Sequence, residues 1–239
     1  MKNIFLLSMA IFIFAMQSQA QDAVPAGVLL PVRLNSSLDS GKVQPGQVIT
    51  ARVMEEVRLS PTSLIPVGAR VTGHVVEVKQ MKGSAKEISV RFDSLATSNR
   101  TIPITTDLRA LAGMMAVDQA QIPTTGPDRG TAENEWETQQ IGSDDFYYSH
   151  NPAANGVFAP TIVSPASKCR MESEGSELPH VLWVFSPRAC GAYGFSHLAI
   201  IHAGRTNPRG EITLASDDGN VNVRAGSGML LCVDRERRE

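Results

Sequence analysis

Cys190-Gly191 offers a thiol, and His180 and His197 flank it in sequence as candidate bases, the two groups a cysteine nucleophile requires. Such a nucleophile works as a thiolate in an exposed, electropositive pocket. Cys169 lies a short way upstream, however, and in an oxidising compartment two nearby cysteines read first as a structural disulfide. Among Cys169, Cys190 and Cys232 the most local pair is Cys169 with Cys190. Its bridge would contribute about 3 kcal/mol by the loop-entropy argument. Cys232 is then odd, and its apolar neighbours Met229, Leu230, Leu231 and Val233 read it as a buried thiol, with an intermolecular disulfide as the alternative.

The five histidines, His74, His150, His180, His197 and His202, lack cysteine or histidine partners at zinc-binding spacing. His197 and His202 are an odd number of residues apart, which on a strand places them on opposite faces. Asp217-Asp218-Gly219-Asn220 carries oxygen ligands but lacks the spaced carboxylates of a calcium loop, and hairpin-turn chemistry accounts for the same residues. Gly126-Pro127-Asp128-Arg129-Gly130 follows no strand and opens no helix, so it reads as a surface turn rather than an anion nest. No serine elbow, phosphate-binding loop or dinucleotide fingerprint is present. The expectation is therefore no catalytic residue, no cofactor and no metal. The aromatics Trp136, Phe146, Tyr147, Tyr148 and Phe158 gather in an irregular middle segment, where Tyr and Trp supply contact area at low entropic cost. They are the candidate partner-binding residues, with docking of the loop onto the sheet as the alternative.

The elements that must position these groups read as β structure. In Ile49 to Met54 apolar residues alternate with mostly polar ones, a period of two continuing through Val57 and Leu59, with Glu55 as the exception on that face. Val28 to Leu34 is apolar but holds Pro31, which cannot donate to a ladder and suggests an edge or leading strand. Leu64 to Gly68 reads as a short buried strand, Val71 to Val78 as the next, and Ile88, Val90 and Phe92 as the inward positions of another. At Asp107 the period changes: Leu108, Leu111, Ala112 and Met115 sit at helical spacing, Thr106 or Asp107 can cap, and Pro123 stops the helix. Residues 123 to 179 are loop-like and rich in proline. Strand signals return at Val181 to Phe185, Leu198 to His202, Glu211 to Ala215, Val221 to Ala225 and Met229 to Val233, with Asp217 to Asn220 as a hairpin turn. Strands about ten residues apart with turns between them predict an all-β fold, an antiparallel barrel or sandwich with one short helix and a long irregular insertion. The organisation expected is a β domain begun by residues 21–122, interrupted by an insertion at 123–179, completed by 180–233 and followed by a charged tail at 234–239.

Leu30-Pro31-Val32-Arg33-Leu34, Leu38-Asp39-Ser40, Pro45-Gly46, Thr50-Ala51-Arg52-Val53 and Leu64-Ile65-Pro66-Val67-Gly68-Ala69-Arg70-Val71-Thr72-Gly73 resemble the β-barrel domain of TrbI-like conjugative transfer proteins. The likeness covers about residues 28–105. It implies a barrel, and by association a component of a type IV secretion channel. Members of that family carry an uncleaved N-terminal membrane helix and a proline-rich linker, which this chain lacks. The remainder is similar to uncharacterised exported bacterial proteins.

Residues 1–20 bound the compartment. Lys2, the apolar stretch Ile4 to Met16 and the small residues Ser18 and Ala20 make a secretory signal peptide cleaved after Ala20. The apolar run is shorter than the roughly 20 residues a helix needs to cross a bilayer, so no transmembrane helix is expected after processing. No cysteine follows the cleavage site directly, which excludes lipoprotein acylation. Cleavage leaves 219 of the 239 residues and, because it removes Lys2 and no acid, moves the net charge from −2 to −3. A near-neutral chain without a long basic run has no electrostatic footprint for nucleic acid. The sequence thus predicts an exported protein, periplasmic or extracellular. Its expected role is that of a non-enzymatic envelope module binding or scaffolding a protein or envelope polymer, with oligomerisation open. The alternatives are a secretion or conjugation channel component and a secreted hydrolase.

Overall fold

A computed structural model of the chain describes residues 23–122, 140–142, 182–186 and 189–234. Its strands are β1 (Leu29–Leu34), β2 (Leu38–Asp39), β3 (Val48–Val53), β4 (Val57–Ser60), β5 (Ser63–Ile65), β6 (Arg70–Gln80), β7 (Lys86–Ala96), β8 (Thr101–Pro103) and β9 (Thr106–Ala112). Helix α1 (Met114–Ala120) follows, and then β10 (Gly191–Tyr193), β11 (Leu198–His202), β12 (Glu211–Ser216), β13 (Asn222–Val223) and β14 (Gly228–Val233). Nine strands form a nearly closed barrel in the order β10-β9-β14-β1-β3-β6-β7-β12-β11, with β8 added alongside β7. All pairs are antiparallel except β10 with β9. The all-β barrel with one short helix is the fold the alternation predicts. Strands from before and after the insertion share one sheet, since β14 lies between β9 and β1.

The barrel is filled. Ile49, Ala51 and Val53 of β3, Ile88, Val90 and Phe92 of β7, and Ile212 and Leu214 of β12 are fully buried in one continuous apolar cluster. Each is at an alternate position, as a pleated strand with one wet face requires. Packing is close enough at the β6–β7 bulge that a Cβ on Gly73 would lie 2.0 Å from the Arg91 carbonyl oxygen, so only glycine fits there. Where β9 and β11 would have to pair to complete closure, the Leu108 N–H donates to the Ala203 carbonyl at 2.7 Å.

A second apolar cluster lies on the outside of the barrel wall. Ala110 and Ala112 of β9 and Leu230 of β14 are covered by Ala116, Val117 and Ala120 of α1 and by Ile141, Leu182, Val184, Phe185 and Ala189. Two short chain segments meet here: Ile141 bridges Phe185, the Ile141 N–H donates to Val184 O at 2.7 Å, and the Ser186 N–H donates to Ile141 O at 2.9 Å. Gly228 makes the approach possible, because a Cβ there would fall 3.0 to 3.2 Å from Val117, Trp183 and Phe185.

Five expectations need correction. The stretch from Asp107 is strand β9, not helix, and α1 begins only after Gly113, its N-cap residue. Leu230 pairs with Ala110 while Leu231 pairs with Leu108, so Arg109 is an extra bulged residue. The bulge puts Leu108 and Leu111, three apart, on the same inward face, imitating a helical period. Pro31 is not on an edge strand: β1 sits between β14 and β3. Its carbonyl accepts the Met54 N–H at 2.9 Å just beyond the end of β3, so the missing donor falls where that pairing is already over. Leu182 to Phe185 is a tight turn rather than a strand, with Trp183 at φ 58°. Asp217 to Asn220 does not close a hairpin, because β13 pairs with β2 while β12 pairs with β7 and β11. Within the expected Leu64 to Gly68 strand only Ile65 is buried, and Leu64 faces solvent.

Candidate functional site

One mouth of the barrel is capped by the β2–β13 ribbon, and between that ribbon and the loop leading from β10 into β11 lies an open cleft of about 280 Å³. Its lining includes Phe195, Leu198 and Val221, with Ser196, His197, Asp218, Asn220 and Asn222 supplying polar groups. Both walls are fixed by local hydrogen bonds. The Val221 N–H donates to Ser40 Oγ at 2.9 Å and the Ser40 N–H to Val221 O at 3.0 Å, tying the floor to the turn after β2. Ser216 Oγ donates to Asp218 O at 3.1 Å and accepts the Asp218 N–H at 3.3 Å, which sets the acidic turn. His197 Nδ1 stands 3.1 Å from Asp217 Oδ1, and the Asp217 N–H donates to His197 O at 3.3 Å, joining one wall to the other.

Of the remaining predicted groups, those within the described residues are dispersed. Trp136, Phe146, Tyr147, Tyr148 and Phe158, together with Cys169, His150 and His180, lie outside the described residues. Tyr193 Oη accepts the Cys190 N–H at 2.9 Å and donates to Cys190 O at 2.9 Å, locking the backbone that enters β10. Cys232 is a free thiol whose pKa is pushed up to about 11, chiefly by burial and then by the neighbouring Asp107 carboxylate. His74 meets Asp93 at 2.9 Å. His202 meets Glu211 O at 2.6 Å and Thr206 Oγ1 at 2.9 Å. The described residues contain no group of three or more His, Cys, Asp or Glu placed to hold a metal.

Two charged features take roles that the sequence reading did not assign. Asp107, buried on the outer wall beside Cys232, receives the Arg205 Nε–H at 3.2 Å; burial pushes its carboxyl above the usual range and Arg205 opposes the shift. Glu55, the exception to the alternation of β3, accepts the backbone N–H of Trp183. A non-glycine residue in the left-handed region needs such support from its surroundings. The polar exception on an apolar face was the available signal for Glu55. The cleft residues gave none beyond turn chemistry, because their convergence depends on β13 crossing to β2.

Fold and site define a side-chain-filled β-barrel with a second core on its outer wall and a polar cleft at one mouth. No protein-family model matches the chain, nor does any curated protein or solved structure.

Proposed function

We propose that this chain is an exported, non-enzymatic module of the bacterial envelope, in which the barrel is a rigid base presenting residues 123–179 to a protein or polymer partner. The observation that carries this reading is the anchorage of the chain at Ile141, within the insertion, and at Leu182 to Phe185, just beyond it. Ile141 and Phe185 bridge to one another, are buried against β9 and β14, and are secured by the Glu55 carboxylate at Trp183. A binding segment rooted in a packed core loses less freedom on association than one hung from free ends. The aromatic content of the insertion supports a contact surface, and residues 1–20 support export. The free state of Cys232 supports a Cys169–Cys190 bridge stapling the insertion to the start of β10.

The test is capture from envelope extract by the full chain and by a variant with residues 143–181 replaced by a Gly/Ser linker. A partner retained by the full chain and lost by the variant is the expected result. Equal capture by both would overturn the assignment of specificity to residues 143–179, which hold four of the five candidate aromatics.

A further inference from the structure

The barrel-mouth cleft shares no lining residue with the anchorage of the insertion, and its chemistry goes beyond a scaffold. Among the described residues the side chains of Ser196, Asp218, Asn220 and Asn222 make no hydrogen bond, yet all four line the same concavity. The groups around them are committed: His197 to Asp217, Ser216 to the turn backbone, Ser40 to Val221. Asn220 is accommodated by Gly41, where a Cβ would come within 2.5 Å of its Nδ2. The cleft therefore pairs a fixed frame with uncommitted donors and acceptors, in one of the places where β-barrels hold ligands.

The composition of the lining narrows the ligand. Asp218 lines the cleft while no Lys or Arg does: His197 is held by Asp217, Lys42 is paired with Asp39 at 3.1 Å, and Lys86, opposite Ser216, lies outside the lining, so an anionic ligand meets a carboxylate without a lining cation. Carboxamides and a hydroxyl offer donors and acceptors together, which suits neutral hydroxyl groups that both give and take hydrogen bonds. Half-buried Phe195 supplies the apolar surface for a C–H face, over the buried Leu198 and Val221. About 280 Å³ lies just under the roughly 300 Å³ at which drug-sized pockets begin. We infer that the cleft bounded by Phe195, Ser196, Asp218, Asn220 and Asn222 binds a neutral sugar unit, with the carboxylate and carboxamides on its hydroxyls and the Phe195 ring against its ring carbons.

The experiment is saturation-transfer NMR and calorimetry on the exported chain with cellobiose, maltose, lactose and N,N′-diacetylchitobiose, and with inorganic phosphate as the anionic control. At least one disaccharide is expected to bind in the millimolar range or tighter, and phosphate is expected not to bind. Asp218→Ala and Asn222→Ala should each weaken binding about tenfold. Both residues are exposed, so thermal midpoints should stay at the parent value. Absence of binding by all four disaccharides, binding of phosphate in their place, or disaccharide binding unchanged in both variants would each overturn the inference. The insertion-replaced variant should bind sugar as the parent does, which separates this outcome from the capture experiment.

Discussion

At the scale of single residues, the outer wall around Asp107 and Cys232 sets two titration behaviours. With its thiol held at about pKa 11, Cys232 presents on the order of one thiolate in ten thousand at pH 7, and thiolate is the reactive form. Alkylation of the native protein should leave Cys232 unmodified, and peptide mapping without reduction should recover Cys169 joined to Cys190. Rapid native labelling of Cys232, or a Cys190–Cys232 peptide, would contradict this account. Asp107 works in the opposite sense from a surface ion pair. Its folded pKa lies above its unfolded value, so the stabilisation linked to its protonated form is complete below the unfolded pKa and lost as pH rises through the folded one. Asp107→Asn should accordingly flatten the dependence of the urea midpoint on pH across the weakly acidic range. A pH profile identical to that of the parent chain would show that Arg205 fully offsets the burial.

At the scale of elements, the anchorage of the 182–186 turn rests on Glu55 and on the apolar cluster beneath it. Glu55→Ala leaves the half-buried Trp183 N–H without its acceptor, a loss of about 1–3 kcal/mol, whereas Glu55→Gln keeps an acceptor oxygen and should retain most of the stability. Amide exchange at Trp183 is the direct measurement: acceleration in the alanine variant and near-parental protection in the glutamine variant are expected. Equal acceleration in both would mean that negative charge, not an acceptor, is what Trp183 requires. The same elements explain what could be read in advance. Strands with one wet face, such as β3, β7 and β12, show their alternation openly. Strand β9 does not, because its outer face is buried by α1 and Phe185 and its bulge at Arg109 resets the phase, so buried positions run almost without interruption. β10 and β13 are too short to carry a period and exist by pairing with distant strands. Ser196 to Asn222 could be read as turns, but their meeting at one cleft depends on that long-range pairing.

At the scale of the whole molecule, the two apolar clusters share a partition. β9 and β14 are buried on one face by the barrel interior and on the other by α1 and the 182–186 turn, so neither cluster has a wall of its own on that side. The barrel and its outer layer should unfold as one cooperative unit. Replacing residues 143–181 by a Gly/Ser linker keeps Ile141, Leu182 and Phe185 in the chain and should preserve a single thermal transition, at a midpoint lowered by loss of the Cys169–Cys190 bridge. Two separated transitions would show that the clusters are independent.

That shared partition has a mechanical meaning as well. A pull on residues 143–181 would enter the protein at Ile141 and Leu182, which meet β9 and β14 by apolar packing and are held by the Glu55–Trp183 hydrogen bond. Such a load would be met first by the outer apolar layer and only then by the hydrogen-bonded ladder of the barrel.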